Sequence, residues 1–286
     1  MVTRKTSSRK SAAAETLPEP GNYALITGAS SGIGLELAKQ LAAKDFDVIL
    51  VARSVDKLQS LATELAAKHG IQARVASADL TQAASIQNLA TLLNKQGLNI
   101  RVLVNCAGVL HQDAFVNMEA GQVQQMIYLN ISALTSMLHA MIPQMQRTLA
   151  EQGGKAHVLN VASIAAFQPI PMLAAYAASK AYVLSLSESL AEELQGSGVS
   201  VTALCPGITA TNMLSQAKSA NDKLSQLPRF LIADVKEVAS TALEAMLRGD
   251  AICVPGAVYQ LGALASRSAP KWLVRKMGGI MGRKAI

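Results

Sequence analysis

Aromatic residues are scarce in this chain of 286 residues, which holds four Phe, one Trp and five Tyr. So few rings argue against a platform for single-stranded nucleic acid or for sugars, because such surfaces stack their ligands on exposed aromatic faces. Charged residues make up only 16% of the chain and apolar residues 50%, which excludes disorder throughout. The length is sufficient for one large domain with a full core.

Cysteine is scarce too, with Cys106, Cys205 and Cys253 as the three instances. Their number is odd and their spacing fits no metal site, so we expect free thiols, no metal and no catalytic cysteine. The sequence shows neither a secretory signal nor an uninterrupted apolar run of membrane-spanning length. These features predict a cytoplasmic protein.

The formal net charge of +7 is concentrated at the two ends of the chain. Residues 1–20 hold four basic and two acidic residues, and residues 251–286 hold six basic and no acidic ones. The remaining residues, 21–250, hold 16 basic and 17 acidic residues. A body this close to neutral does not predict a specific nucleic-acid partner. We expect a disordered basic tail over 1–20. We expect 257–286 to be a basic extension that packs as a flap on the substrate mouth, in preference to a peripheral membrane anchor.

Short β-branched runs alternate with longer segments of helical periodicity from residue 21 onward. This alternation predicts an α/β fold of three layers, a doubly wound Rossmann domain over 21–256 whose seven-stranded, mostly parallel sheet carries helices on both faces. The predicted strands are Tyr23–Thr27, Val48–Ala52, Ala73–Ser77, Val102–Asn105, Ala156–Val161, Val199–Leu204 and Ala251–Val254. The predicted helices include Ile33–Lys44, Val55–His69, Thr81–Lys95 and Ala174–Leu194.

A glycine-rich loop follows the first predicted strand and leads directly into a helix. Glycines let backbone N–H groups approach a pyrophosphate, and the positive end of the helix dipole faces that charge. The spacing is GxxxGxG, and an ordinary glycine-rich turn is the alternative that strand, loop and helix together disfavour. The candidate dinucleotide-binding residues here are Gly28, Ser30, Ser31, Gly32, Ile33 and Gly34.

The end of the second predicted strand indicates which dinucleotide is bound. An NAD site has a carboxylate at this position for the ribose 2′-hydroxyl, whereas this chain has Arg53. A guanidinium there can neutralise a 2′-phosphate, with Ser30 as a second donor, so we expect NADP(H). The ends of the third and fourth strands extend the predicted cofactor path, and Asp79 is the expected acceptor from the adenine amino group. The candidate cofactor-binding residues at these two strand ends are Asp79, Leu80, Asn105, Ala107 and Gly108.

Ser163, Tyr176 and Lys180 form the candidate catalytic group. The spacing of four residues places the phenol of Tyr176 and the ammonium of Lys180 on one helix face. We expect the cation to lower the pKa of the tyrosine towards neutral pH, as general acid-base catalysis requires. Ser163 ends the fifth strand, and the intervening loop is long enough to bring its hydroxyl beside Tyr176.

These motifs, in this order and spacing, resemble the short-chain dehydrogenase/reductase family over residues 21–256, in particular its NADP-preferring members. The resemblance implies that Tyr176 exchanges a proton with the substrate oxygen, Ser163 polarises that oxygen, and Lys180 holds the nicotinamide ribose. It also implies that Asn130 holds a water between Lys180 and solvent; an amide that bonds its own helix is the alternative. Further implied nicotinamide contacts are Pro206, Gly207 and Thr211. Cys106 stands where the family usually has alanine.

Apolar segments follow Ser163 and the Pro206-Gly207 turn, and they predict a substrate with an apolar carbonyl or secondary alcohol, such as a ketoacyl chain, a steroid-like ketone or an aromatic aldehyde. The second segment, near 208–232 and including Met213, Leu214 and 227–231, is a candidate lid. Core or dimer packing is the alternative for these residues. The family resemblance implies a homodimer or homotetramer. An NADP-binding regulatory or scaffold protein without turnover is the alternative function.

Overall fold

The computed structural model describes residues 22–211, 232–270 and 272–276, and in them a single sheet of seven strands. All strand pairs are parallel, in the order β3-β2-β1-β4-β5-β6-β7, which confirms the predicted fold class. The strands are β1 (Asn22–Thr27), β2 (Asp47–Ala52), β3 (Ala73–Ser77), β4 (Asn99–Asn105), β5 (Ala156–Val161), β6 (Val199–Leu204) and β7 (Ile252–Cys253).

Helices connect the strands and cover both faces of the sheet. The α-helices are α1 (Gly32–Ala42), α2 (Val55–His69), α3 (Ala83–Lys95), α4 (Ala120–Ile127), α5 (Leu134–Gln152), α6 (Ala174–Glu193), α7 (Val235–Arg248) and α8 (Ala257–Ser268). A π-helical turn, Tyr128–Ala133, joins α4 to α5, and a 3₁₀ turn, Ile164–Phe167, follows β5. A short helical segment over 272–276 comes after α8.

Two cores lie on opposite faces of the sheet, because successive side chains of a buried strand point to opposite sides. In β1, Leu25 packs with the side chains of α3, α5 and α6, whereas Ala24 and Ile26 pack with those of α1, α2 and α7. All six residues of β1 are buried. The result is the three-layer arrangement that the alternation of strands and helices predicts.

The continuous helix from Ala120 to Gln152 is long and apolar enough, by length and composition, to span a membrane, with a mean hydropathy of 1.2. Its apolar side chains, among them Met137, Met141 and Met145, are buried in the core against the sheet. Core packing therefore accounts for the apolar composition of this helix.

Successive strands are added outward from β1 to β3 on one side and from β4 to β7 on the other, so the strand order reverses between β1 and β4, which pair in parallel. Open parallel sheets bind ligands in the crevice at the carboxyl ends of the strands beside such a switch point. The loops that leave β1, β2, β4, β5 and β6 all start at this edge of the sheet. The basic tail over 1–20 and residues 212–231 of the proposed lid lie outside the described residues.

Candidate active site

A cavity of about 960 Å³ opens at the carboxyl ends of the strands. Its lining includes sixteen of the site residues that the sequence predicts. They are Gly28, Ser30, Ser31, Gly32, Ile33, Arg53, Asp79, Leu80, Ala107, Gly108, Ser163, Tyr176, Lys180, Pro206, Gly207 and Thr211. The other three, Gly34, Asn105 and Asn130, are absent from the lining.

The loop between β1 and α1 requires glycine for two different reasons. Gly28 and Gly32 have φ angles of +69° and +57°, in the left-handed region that side chains disfavour. A Cβ at Gly28 would also lie 2.9 Å from the backbone nitrogen of Ala107. A Cβ at Gly34 would lie 2.5 Å from the carbonyl oxygen of Gly28, so Gly34 serves the packing of loop on helix. The loop thereby exposes backbone to the cavity at the start of α1.

Thr27 joins the ends of β1 and β4, a role that the sequence analysis missed. Its Oγ1 accepts hydrogen bonds from the backbone N–H groups of Cys106 (3.0 Å) and Ala107 (3.1 Å) and donates one to the carbonyl of Val104 (3.2 Å). One buried hydroxyl thus holds the glycine-rich loop and the loop after β4 at a defined separation. A polar residue that ends the first strand just before the glycines was the available signal.

Arg53 and Asp79 lie at the part of the cavity formed by the ends of β2 and β3. Asp79 Oδ1 accepts hydrogen bonds from the backbone N–H (3.0 Å) and the hydroxyl (2.8 Å) of Thr81. These bonds, together with the nearby guanidinium of Arg53, lower the pKa of Asp79 although burial opposes them. Arg53 itself is exposed at the rim, next to Ser54 of the lining. This corner offers one cation to an anionic group.

Ser163 and Tyr176 meet as predicted, since β5 ends beside the first turn of α6. Ser163 caps the 3₁₀ turn by accepting a hydrogen bond from the backbone N–H of Ala165 at 3.1 Å. Its hydroxyl lies near enough to the phenol of Tyr176 to lower the pKa of that tyrosine, against the larger effect of burial. Both side chains are buried, with 8% of each residue exposed, and both line the cavity. Two hydroxyls therefore face one point of the cavity.

The expectation that Lys180 lowers the pKa of Tyr176 is wrong for this structure. Burial raises the pKa of Tyr176, and the neighbouring hydroxyl of Ser163 opposes that shift only in part. The Nζ atom of Lys180 lies 5.8 Å from the centre of the Tyr176 ring and donates a hydrogen bond to the carbonyl of Val161 at 2.8 Å. Tyr176 is consequently protonated at neutral pH and can donate its proton.

Burial also lowers the pKa of Lys180, to about 8, and the nearby thiols of Cys106 and Cys205 partly oppose that shift. Burial raises the pKa of Cys106 to about 11, so its thiol stays protonated at neutral pH. Cys205 and Cys253 are buried and Cys106 is half-buried, and none of the three forms a disulfide. The described residues contain no cluster of three His, Cys, Asp or Glu that could hold a metal ion.

Asn130 lies in the π-helical turn and supports the loop after β4. Its Oδ1 accepts a hydrogen bond from the N–H of Val109 (2.9 Å), and its Nδ2 donates to the carbonyl of Val109 (3.0 Å) and to Ser179 Oγ (3.1 Å). These partners belong to other segments, so the alternative of an amide bonded to its own helix is not what the structure shows. Both amide hydrogens bind protein groups, and the side chain is 1% exposed.

Asn105 lies below the cavity, although the sequence placed it among the cofactor-binding residues. Its Nδ2 donates to Asn160 Oδ1 at 2.9 Å, and Asn160 Nδ2 donates to Ser187 Oγ at 2.9 Å. This chain of buried amides connects β4, β5 and α6. The physical reason for its placement is that the side chain of Asn105 points into the layer of helices rather than along the strand end.

Tyr259 of α8 closes the cavity above the turn that follows β6. This role of Tyr259 was not predicted from the sequence. A Cβ on Gly207 would lie 2.1 Å from the Tyr259 ring, and the Tyr259 hydroxyl accepts a hydrogen bond from the N–H of Ile208 at 3.1 Å. Gly207 therefore admits the aromatic ring of a helix that comes about 50 residues later in the chain. Nothing local to Gly207 identifies that partner.

The outer half of the cavity is mostly apolar and is formed by four segments. Val109 and Leu110 come from the loop after β4, and Phe167, Ile170 and Leu173 from the link between Ser163 and Tyr176. α8 and 272–276 add Val258, Tyr259, Gly262, Ala265, Ser266, Leu273 and Val274. Met213, Leu214 and 227–231 lie outside the described residues.

An ion pair attaches α8 to α6, the helix that carries Tyr176 and Lys180. Arg267 donates to Glu188 of α6 at 2.6 Å, and its guanidinium lies 5.8 Å from the centre of the Phe167 ring. Phe167 belongs to the 3₁₀ turn that Ser163 begins. The wall formed by α8 is thus attached both to α6 and to the turn beside the catalytic serine.

A family model described as short chain dehydrogenase matches residues 22–222 of this chain. Among curated relatives, a very-long-chain 3-oxoacyl-CoA reductase from Scheffersomyces stipitis is 32% identical over 224 residues. The match covers 76% of this chain and 64% of the relative, so the chain spans slightly less than two thirds of that protein's length.

Solved structures resemble the chain over most of its length. A short-chain dehydrogenase from Sphingobium yanoikuyae in complex with NADPH is 32% identical, with a TM-score of 0.76, over 86% of this chain and 93% of that one. A bulky-bulky ketone specific alcohol dehydrogenase from Comamonas testosteroni is 30% identical, with a TM-score of 0.71, over 86% of this chain and 92% of that one.

Proposed function

The chain belongs to the short-chain dehydrogenase/reductase family, and we propose that it is an NADP(H)-dependent reductase of bulky apolar ketones. The observation that carries the proposal is the meeting of Ser163, Tyr176 and Lys180 in a cavity whose outer wall is apolar. Long-chain 3-oxoacyl thioesters are the first substrate class to test, because a relative that is 32% identical carries that activity in its name.

The residues present fit a dinucleotide. Gly28, Gly32 and Gly108 leave room where any side chain would enter the cavity or meet its backbone, and the start of α1 directs N–H groups towards a pyrophosphate. A Cβ on Gly108 would lie 3.6 Å from Lys180 Nζ, so the ammonium is within reach of ribose hydroxyls that lie against that glycine. NADPH, when bound, supplies the hydride that reaches the carbonyl carbon.

The protein's own part of the reaction is to move one proton. Tyr176 donates its phenolic proton to the carbonyl oxygen, and Ser163 holds that oxygen by a second hydrogen bond. The raised pKa of Tyr176 suits this direction, because the residue starts the reaction protonated. Solvent then returns the proton to Tyr176. The apolar walls exclude water from the reacting carbonyl.

Arg53 supports NADP(H) over NAD(H). It lines the cavity at the end of β2, where a carboxylate would otherwise bind the ribose 2′-hydroxyl, and Ser30 and Ser54 line the same region. A guanidinium forms strong, charge-assisted hydrogen bonds with a 2′-phosphate. The relative from Sphingobium yanoikuyae, solved with NADPH, is consistent with this preference.

The substrate proposal depends on the outer wall of the cavity. Phe167, Ile170 and Leu173 on one side face the apolar residues of α8, and Gln112, Gln125 and Gln168 add a few polar groups. Such a wall suits an acyl chain or a ring system better than a sugar, because a sugar would leave its hydroxyls without partners.

The test is NADPH consumption by the full-length protein with a panel of carbonyl compounds. The panel contains short- and long-chain 3-oxoacyl-CoA, a steroid ketone, an aromatic aldehyde and a ketose as polar control, each with NADPH and with NADH. We expect turnover with NADPH that increases with acyl chain length and is absent with the ketose. Tight NADPH binding without turnover of any carbonyl would favour the regulatory or scaffold protein instead.

Three further expectations belong to the proposal. The division into a catalytic domain over 21–256 and an extension over 257–286 stays a prediction. A homodimer or homotetramer is expected for a member of this family, with α6, which exposes 39% of Tyr182, as the candidate interface. The cytoplasmic location stays a prediction.

A further inference from the structure

The helix α8 has one face in the cavity and one face in solvent. Tyr259 and Ser266 line the cavity, whereas Val258, Leu261 and Leu264 are 59%, 69% and 63% exposed. Three large aliphatic residues on one side of a surface helix form an apolar stripe of the kind that marks an interaction site. Val258 belongs both to the exposed stripe and to the lining of the cavity. The stripe therefore extends to the cavity wall.

The segment 272–276 repeats this arrangement. Leu273 and Val274 line the cavity, and Val274 is buried. Trp272, Arg275 and Lys276 are exposed, and their spacing of three and four residues places them on one side of the helical turn. Trp272 is 60% exposed and is the one tryptophan of the chain. The two consecutive helical segments therefore present an aliphatic stripe, an indole ring and two cations outside the cavity.

The charge of this region indicates the partner. Residues 251–286 hold six basic residues and no acidic one, although residues 21–250 are nearly neutral. Anionic lipid headgroups attract such a segment, and tryptophan is enriched at the depth where headgroups meet acyl chains. A second copy of the chain fits less well, because a two-fold contact through this patch would set its cations against each other.

We propose that the outer face formed by Val258, Leu261, Leu264, Trp272, Arg275 and Lys276 docks on the surface of an anionic lipid bilayer. The aliphatic side chains and the indole enter the headgroup region, and the cations pair with lipid phosphates and carboxylates. Docking sets the wall of the cavity against the bilayer, so that an apolar molecule passes between lipid and cavity without crossing water. That last consequence depends on the proposed apolar substrate; the docking itself does not.

Trp272 makes the docking directly measurable. With a single tryptophan, the emission of the unmodified full-length protein reports the surroundings of this one side chain. We expect a blue shift when phosphatidylcholine vesicles containing phosphatidylserine are added, quenching by bromine-labelled acyl chains, and reversal by salt. The absence of a shift with these vesicles would overturn the proposal. Equal shifts with vesicles of phosphatidylcholine alone would overturn it as well, since the cations would then have no role.

Two variants and a matched control separate docking from folding and from catalysis. Leu261→Glu places a charge in the stripe, and Leu92→Glu places the same charge on an exposed leucine of α3. Replacing Arg275 and Lys276 by glutamine should weaken partitioning roughly 25-fold, at about fivefold for each cation near an anionic surface. We expect Leu261→Glu to lose vesicle binding and Leu92→Glu to keep it, with unchanged NADPH binding in both. A blue shift that depends on protein concentration without vesicles would identify a second copy as the partner and contradict the proposal.

Discussion

Lys180 donates a hydrogen bond to the backbone carbonyl of Val161, the last residue of β5, with 2.8 Å between Nζ and O. The bond joins α6, which carries Tyr176, to the strand end that carries Ser163. It therefore sets the separation of the two hydroxyls that face the substrate oxygen. Lys180 is buried, with 6% of the residue exposed, and its charge costs stability in that position.

That cost predicts a pH dependence of stability. The pKa of Lys180 falls from 10.5 to about 8 on folding. Between these two values the unfolded chain binds more protons than the folded protein, so the free energy of unfolding rises with pH. Below pH 8 the penalty is present in full, at about 3 kcal/mol by the usual conversion of a pKa difference.

Lys180→Met removes this titration. We expect the difference in unfolding free energy, variant minus wild type, to fall as pH rises from about 7 to about 10. Urea unfolding of the cofactor-free proteins at a series of pH values measures this difference. A difference that is constant with pH would show that Lys180 is not charged and desolvated as the structure has it.

Arg53→Asp tests the cofactor preference. A carboxylate at this position repels a 2′-phosphate and accepts from a 2′-hydroxyl, so we expect the NADPH dissociation constant to rise roughly 10- to 100-fold while that of NADH changes little. Lys57→Asp, on the exposed side of α2 outside the cavity, makes the same change in net charge and is the control. Equal losses of NADPH affinity in both variants would mean that the preference for NADPH comes from the overall electrostatic field of the protein and not from Arg53.

Thr27→Val tests the link between β1 and β4. The variant leaves the N–H groups of Cys106 and Ala107 without their acceptor, at a cost of roughly 1–3 kcal/mol in unfolding free energy. We also expect weaker NADPH binding, because both loops of the cofactor cradle lose their separation. Thr27→Ser keeps the hydroxyl and should restore most of both quantities. Wild-type stability and NADPH affinity in Thr27→Val would show that the hydroxyl does not hold the two loops together.

Arg267→Ala tests the attachment of α8. An exposed ion pair contributes up to about 1 kcal/mol, so we expect little change in global stability and an increase of roughly two- to fivefold in KM for bulky ketones. NADPH affinity should stay the same, because Arg267 is absent from the cavity lining. Arg248→Ala, which breaks the exposed pair with Asp250 at 2.7 Å, is the matched control. Equal KM values for both variants would show that α8 needs no ion pair to keep its place.

The sheet was largely predictable from sequence because its strands are buried, β-branched runs. β3, β5 and β6 have the predicted bounds, whereas β4 begins three residues earlier, at Asn99, where it pairs with Asn22 across a shift of register. The long helix from Ala120 to Gln152 was not predicted. It is a core helix that contains a π-helical turn and Pro143, and both depart from simple helical periodicity.

The candidate site, like the fold, was predictable only in part. Ser163, Tyr176 and Lys180 were predictable because each follows a recognisable strand end or helix start, and the structure brings them to one cavity. The raised pKa of Tyr176 was not predictable. The spacing of four residues indicates that Lys180 is near, but it does not reveal the burial that raises the pKa. The contact of Tyr259 with Gly207 was equally hidden, because it joins segments about 50 residues apart.

The most direct test of the central claim compares wild type with Tyr176→Phe on the best carbonyl substrate of the panel. We expect the variant to bind NADPH with nearly wild-type affinity and to lose at least about 100-fold in kcat, the usual contribution of a general acid. Tyr182→Phe, on the same helix but hydrogen-bonded to Thr135 at 3.0 Å outside the cavity, should keep wild-type kcat. Turnover by Tyr176→Phe at the wild-type rate would show that Tyr176 is not the proton donor.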